Sequence, residues 1–540
     1  MASSKQIIFI VLCFVSQYAF AQTNRYMVFF KDKAGTTYAT DKPSLFLSAR
    51  AINRRLMHNI PITEQDFPVN NAYVAGVAAT GAETYFTTRW MNGVLVQCDA
   101  SLKTNIELLN YVDHVEFVAP SARLQKQGRK IKNGEAKGAT IQDLTSQQLQ
   151  LIGLNDMQEA GYRGETIHIG IFDGGFPGVN TTTPFEHIFT ENRIDLQSSK
   201  DFIANTNSVF QYDAHGTEVF SVIAAYQQGN FTGGLYEAEY QLYVTEDVSN
   251  EYRIEEYNWM FAAERADSAG VDVINSSLGY YDFDDSNMNY SKSDMDGKTT
   301  VISKAAQWLS DRGVIVVCSA GNEGAIAWQI ITAPADAKDV LATASVNIAG
   351  QRAGSSSKGP SADGRVKPDV AAMGVNTNVI RPDGSNGTVS GTSLASPLVA
   401  SLAAGIWQRY PSMSNIEVIE AIRKSASQAN NPDNLLGYGI PNFKAVVNYL
   451  ESHPQENAFD VFPNPVVADT FTIRPSDPSK VTSCHIELVS TQGQVIYGKD
   501  ISFSWLNRAY SQNLSSTAAG LYFLRISWGG KKYVYRLVKV

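Results

Sequence analysis

Two short runs set the frame for this chain. Ile167-His168-Ile169-Gly170-Ile171-Phe172 and Gly313-Val314-Ile315-Val316-Val317-Cys318 are rich in β-branched residues, and each stops at a glycine-containing loop. Runs apolar on both sides of the pleat belong in a sheet covered on both faces. Val271-Asp272-Val273-Ile274-Asn275 fits the same role. Segments of helical period lie between such strands, so the expected class is α/β, a parallel sheet flanked by helices. The carboxyl ends of strands in open α/β sheets are where ligands bind.

Three side chains stand out against that frame. Asp173 closes the first run and is followed by Gly174 and Gly175, which permit a tight turn. His215 opens a segment whose apolar positions Val219, Phe220, Ile223 and Ala224 mark one helix face, so His215 projects from a first turn. Ser393 lies in Gly391-Thr392-Ser393-Leu394-Ala395-Ser396-Pro397, before apolar positions Leu398, Val399, Leu402 and Ala403. A hydroxyl at that helix start meets unpaired N–H groups and the positive end of the dipole. Pro397 is expected close to the first turn, where a missing N–H costs little. Each residue has a plainer reading: an Asp closing a turn, a first-turn His, a Ser capping a core helix. Together they form the acid, base and hydroxyl that acyl transfer requires. His168, inside a strand, reads as structural, and His187 has no organised context.

The order Asp, His, Ser is that of the subtilisins. The chain resembles the subtilisin-like serine peptidases (the S8 family, or subtilases) at Asp173-Gly174-Gly175, His215-Gly216-Thr217 and Gly391-Thr392-Ser393 with Ala395-Ser396-Pro397. It departs from them at Gly174, where the family usually carries Ser or Thr. The resemblance implies a subtilisin-like fold with Asp173, His215 and Ser393 as catalytic residues. It implies that Asn322, in Ser319-Ala320-Gly321-Asn322, aims its amide at an oxyanion. It further implies that Ser277, Leu278 and Gly279 line a groove where an extended peptide pairs by strand addition. Ala320 and Gly321 are then expected beside the pocket for the residue preceding the scissile bond. Cys318, in a core strand with no adjacent positive group, reads as a small hydrophobe rather than a rival nucleophile. The implied activity is a secreted serine endopeptidase that works through an acyl-enzyme and requires no cofactor. A non-catalytic surface binding or adhesion protein on the same scaffold is the alternative, and an acyl or peptidyl transferase is a third class.

The remaining sequence suggests several units. Lys5, the apolar core Ile7 to Val15 and Ala19-Phe20-Ala21 fit a signal peptide over 1–21. No later run reaches the roughly 18 apolar residues of a membrane span, so no transmembrane segment is expected. Residues 22–144 read as an α+β unit and a basic linker, Arg123 to Lys137, where nicking is expected. Strands are expected at 25–30, 93–98 and 115–118, and helices at 44–57 and 102–109. The unit resembles the family's propeptide, which implies an inhibitor supplied by the chain itself, with maturation between about Arg123 and Ser146. The peptidase domain spans 145–451, a polar linker 452–458, and a small all-β sandwich 459–540. That sandwich, with Val461-Phe462-Pro463-Asn464-Pro465 and Gly520-Leu521-Tyr522-Phe523-Leu524, resembles the C-terminal sorting domains of Bacteroidetes type IX secretion. The resemblance implies outer-membrane secretion machinery as a partner and an extracellular or cell-surface location.

A net charge of −9 argues against nucleic acid as a main partner. Cys98, Cys318 and Cys484 are too few for a disulfide framework. The insert Tyr280 to Lys298 carries Asp282, Asp284, Asp285, Asp294 and Asp296. Clustered oxygens suit structural calcium, but the spacing matches no motif and favours a solvated acidic loop.

Overall fold

The computed structural model describes residues 23–58, 60–120, 145–453, 458–476, 480–504 and 509–540. The expected signal peptide, the basic stretch Arg123 to Lys137 and the centre of the polar linker lie outside them.

The first unit holds β1 (Thr23–Phe30), α1 (Ala49–Met57), α2 (Asn71–Ala78), β2 (Glu83–Thr88), β3 (Gly93–Asp99), α3 (Leu102–Glu107) and β4 (Val112–Pro120). Its antiparallel sheet runs β2-β3-β1-β4. Alternation along β1 gives that sheet two apolar faces. Tyr26, Val28 and Phe30 pack with Val77 of α2 and Ile106 of α3, while Met27 and Phe29 join the core of the central unit. The helix expected from Ser44 starts later, because the Ser48 hydroxyl caps α1 by accepting from Ala51 N at 3.1 Å.

The central unit opens with α4 (Ser146–Leu151), α5 (Leu154–Glu159), β5 (His168–Asp173), α6 (Glu186–Thr190), β6 (Lys200–Asp201) and α7 (Ala214–Ala224). A ribbon, β7 (Tyr226–Gln227) and β8 (Phe231–Thr232), precedes β9 (Glu239–Val244), α8 (Ile254–Ala269), β10 (Val273–Ser276), α9 (Val301–Asp311) and β11 (Ile315–Ser319). Then come β12 (Leu341–Val346), β13 (Val370–Met373), the hairpin β14 (Thr377–Ile380) and β15 (Asn386–Val389), α10 (Thr392–Arg409), α11 (Asn415–Ser425) and α12 (Phe443–Ser452).

Seven of these strands form one parallel sheet in the order β13-β12-β11-β10-β5-β9-β6. Ile169, Ile171, Val273, Ile315 and Val317 share a core with α7 and α10. Their neighbours Phe172, Ile274, Val316 and Cys318 share the opposite core with α8 and α9. Chain order reverses beside β5, so the carboxyl ends of β5, β10 and β11 meet at a topological switch point. Pro397 lies inside α10, beyond its first turn, not near the helix start as its sequence position suggested.

The last unit contains β16 (Phe459–Phe462), β17 (Thr470–Pro475), β18 (Ser483–Ser490), β19 (Val495–Ser502), β20 (Tyr510–Asn513), β21 (Gly520–Trp528) and β22 (Lys531–Lys539). They form two antiparallel sheets, β16-β17-β20 and β19-β18-β21-β22, closed over Phe471, Ile473, Ile486, Leu488, Leu524 and Ile526. On the outer face of the larger sheet, Val489 and Phe523 pack against Ile52 and Leu56 of α1.

The other side of α1 meets the central unit through charge. Arg54 and Arg55 of α1, and Arg89 after β2, converge on Asp267 of α8 at 2.6, 2.9 and 2.7 Å. Asp267 is fully buried. A carboxylate so deep is tolerable only because it is paired this heavily.

Candidate active site

Asp173 is the last residue of β5 and is 1% exposed. Gly174 N donates to its Oδ1 at 2.8 Å, a bond that needs no side chain at position 174. His215 follows Ala214 in the first turn of α7, where Asp213 caps the helix. Its Nδ1 lies 2.8 and 3.0 Å from the two oxygens of Asp173. Gly216 permits this approach: a Cβ there would stand 2.2 Å from Gly175 O and 3.0 Å from the Asp173 Cβ.

With Nδ1–H donated to the carboxylate, Nε2 is the basic nitrogen of the ring. Burial works against a charged imidazole, but the Asp173 carboxylate outweighs it and lifts His215 to about 9.

Ser393 stands in the first turn of α10, immediately after Thr392. Asn322 reaches the same helix end from the loop after β11, behind Gly321, whose φ of +103° favours glycine. Asn322 Oδ1 accepts from Thr392 N at 2.9 Å and Thr392 Oγ1 at 3.2 Å. That fixes the amide with its NH2 as the remaining donor. Ser393 Oγ and Asn322 Nδ2 lie 2.8 and 3.7 Å from the point where a Cβ on Gly391 would stand.

Ser277, Leu278 and Gly279 continue from the end of β10. The Ser277 hydroxyl turns inward and donates to Ser393 O at 2.8 Å. Leu278 is half-buried and Gly279 exposed. Ala320 and Gly321 are buried behind Asn322, their carbonyls accepting from Thr332 N and Ser357 N. Cys318 is fully buried, and burial pushes its thiol up to about 12. His168 is paired with Glu239 at 2.9 Å.

The pairing of two polar residues escaped the sequence reading. Ser396 Oγ donates to Asn275 Oδ1 at 2.7 Å, and Asn275 Nδ2 donates to Ser277 Oγ at 3.1 Å. This relay locks the start of α10 to the end of β10. Ser396 belonged to the serine motif, but nothing local marked Asn275 as its partner.

The aspartates of the 280–298 insert do not converge. Asp285 caps one short turn, Asp294 accepts from Ser291 N at the start of another, and Asp296 accepts from Lys298 N and Thr299 N. Among the described residues a different carboxylate group gathers, Glu246, Glu251 and Glu255.

The subtilase family profile matches residues 164–439, just over half of the chain. Residues 25–135 match the peptidase S8 propeptide domain of Bacteroidota, and 460–540 a secretion system C-terminal sorting domain. A subtilisin of Bacillus pumilus is 28% identical over 274 residues, covering 50% of this chain and 87% of its own. Subtilisin E of Bacillus subtilis (strain 168) is 28% identical over 292 residues, covering 54% and 68%. Fervidolysin from Fervidobacterium pennivorans, a keratinolytic enzyme related to subtilisin, superposes with a TM-score of 0.53 at 16% identity, over 94% of this chain and 71% of its own. The epidermin leader peptide processing protease of Staphylococcus aureus gives 0.54 at 16% identity, over 79% and 98%. These two superpositions speak for the fold alone.

The sorting domain indicates secretion across the outer membrane, to the cell surface or the extracellular space. No helix among the described residues is long and apolar enough to cross a membrane. Nothing in the relatives favours a non-catalytic adhesion protein. The chain belongs to the subtilase family and is a serine endopeptidase.

Proposed function

We propose that Asp173, His215 and Ser393 carry the peptidase chemistry. His215 takes the Ser393 proton as the hydroxyl attacks a peptide carbonyl, and Asp173 orients the ring and stabilises its charged form. The Asn322 amide and the Ser393 backbone N–H receive the oxyanion. The protonated His215 then gives its proton to the leaving amine, and water releases the acyl-enzyme by the same steps. The backbone of Ser277 to Gly279 pairs with the extended substrate, with Ala320 and Gly321 beside the pocket that precedes the scissile bond. The observation that carries this reading is the two-oxygen contact of Asp173 with His215 Nδ1.

We divide the chain into signal peptide (1–21), propeptide and processing linker (22–144), peptidase domain (145–451), linker (452–458) and sorting domain (459–540). The propeptide acts as an inhibitor until it is cut off between about Arg123 and Ser146, and the outer-membrane secretion machinery reads the sorting domain. The propeptide's docking through buried ion pairs to Asp267 supports the inhibitor role. Protein and peptide chains are the substrates. The chemistry needs no cofactor, and calcium enters only as a structural ion.

Labelling with a fluorophosphonate probe tests the assignment. The matured protein is expected to react and Ser393→Ala is not. A matured protein that stays unlabelled after confirmed propeptide removal would overturn it.

A further inference from the structure

After β9 the chain turns through residues 245–253 into α8, and three glutamates gather where the turn meets the helix. Glu246, Glu251 and Glu255 each bring a carboxylate oxygen within 4.8 Å of the others. Glu255, in the first turn of α8, is 1% exposed. Its Oε1 accepts from Asp247 N at 2.6 Å, but its buried Oε2 has no partner. One turn further along α8, Asn258 is equally buried and its Oδ1 is also without a partner. Glu246 accepts from the Tyr280 hydroxyl and from Thr245 Oγ1. Among the described residues neither Glu246 nor Glu255 forms an ion pair with a basic side chain. Buried acceptors left this way are costly unless a proton or a cation meets them.

We propose that Glu246, Glu251 and Glu255 form a binding site for a calcium-class divalent cation, which fastens the turn after β9 to the first turn of α8. Three carboxylates and an amide oxygen nearby are hard ligands, suited to calcium rather than to zinc. Opposite oxygens around calcium stand roughly 4.6–5.2 Å apart, given bonds of about 2.3–2.6 Å, and the glutamate oxygens fall within that span. A cationic substrate side chain fits less well. Glu255 is shut in, and the cavity it lines with Arg25, Asn250, Tyr252 and Asn258 holds about 20 Å³, room for about one water or ion and none for a second long basic side chain.

The site adjoins the catalytic residues. Thr245 N donates to Asp173 O at 3.1 Å, and Asp284 Oδ2 accepts from Glu251 N at 3.1 Å. The Glu246 Cβ lies 3.7 Å from where a Cβ on Gly174 would stand. A cation here therefore positions the segment that bears Asp173. These three glutamates act through Asp173 rather than on substrate.

The inference rests on the fold and not on the peptidase assignment, so its test needs no turnover. Full-length Ser393→Ala protein, which cannot digest itself, is stripped with chelator and titrated with calcium by calorimetry, alongside Ser393→Ala/Glu255→Gln. The double variant should fold, since glutamine replaces a buried carboxyl by a neutral isostere, and equal melting temperatures in chelator check this. Glu246→Gln replaces it if they differ. The expected result is one calcium fewer per chain in the double variant, or affinity at that site lower by at least about 100-fold, with the calcium-induced rise in melting temperature lost. Equal binding by both proteins, or none by the parent, overturns the site. If the parent binds none and Glu255→Gln in the active enzyme selectively slows cleavage of Lys- and Arg-containing peptides, the occupant is a substrate side chain and the cation is again excluded.

Discussion

The Ser277 hydroxyl donates to the carbonyl of Ser393 at 2.8 Å. That carbonyl is the one a regular helix would satisfy from the N–H four residues on, and the residue there is Pro397. The proline opens a vacancy at Ser393, and Ser277, just past the end of β10, fills it. Ser277→Ala should leave this carbonyl buried and unpaired, at about 1–3 kcal/mol. Denaturant unfolding in a Ser393→Ala background measures the loss. Adding Pro397→Ala, which restores an N–H, should recover part of it.

Activity should rise with pH through the range set by His215. In the proposed mechanism His215 must be neutral to accept the Ser393 proton, and Asp173 lifts its pKa to about 9 against the effect of burial. The kcat/KM profile should therefore have its lower limb well above the 6.5 of an ordinary imidazole. The stability that this pairing gives runs the other way. It is full below about 6.5 and is lost as pH rises through about 9. Asp173→Asn should lower the midpoint and reduce kcat on the order of 10⁴-fold, read from pH profiles of both proteins.

Asn322→Ala should lower kcat by about 100- to 1000-fold with little change in KM, the magnitude measured when a subtilisin loses its oxyanion donor. Asn322→Asp separates the two duties of the side chain, keeping an acceptor for Thr392 N while losing the donor. The aspartate also repels the oxyanion, so a kcat well above that of the alanine variant would assign the effect to the Thr392 contact and not to the donor.

Asp267→Asn should weaken the hold of the first unit on the central one. Three buried guanidinium groups lose their shared carboxylate, at about 3–5 kcal/mol. Burial raises the pKa of Asp267, but Arg55, Arg89 and Arg54 outweigh it and hold the carboxyl well below the usual range. Its contribution is thus present above the ordinary carboxylate pKa of 3.8 and fades only as pH falls far below that. The dissociation rate of the cleaved first unit, followed in both proteins at neutral pH, measures the change.

The parts of the fold that could be read from sequence are those written in consecutive residues. Ile167 to Phe172 and Gly313 to Cys318 announce buried strands, and the apolar spacing after Ser393 announces α10. α2 was illegible because Asn71–Ala78 carries a glycine and no clear apolar stripe. β2 was illegible because most of Glu83–Thr88 is partly exposed and polar. Relationships between distant residues were also hidden. Asn275 meets Ser396, three arginines meet Asp267, and Glu246 meets Glu255 only after the sheet has formed. The five aspartates crowded into one insert read as a solvated acidic loop, and most of them serve nearby turns.

Helix α1 has two tenants. Arg54 and Arg55 anchor it to Asp267, while Ile52 and Leu56 seat Val489 and Phe523 of the C-terminal sandwich. Departure of the first unit therefore does more than break the ion pairs at Asp267. Val489 and Phe523 lose the helix that covers them, and a greasy strip on the tail is left bare.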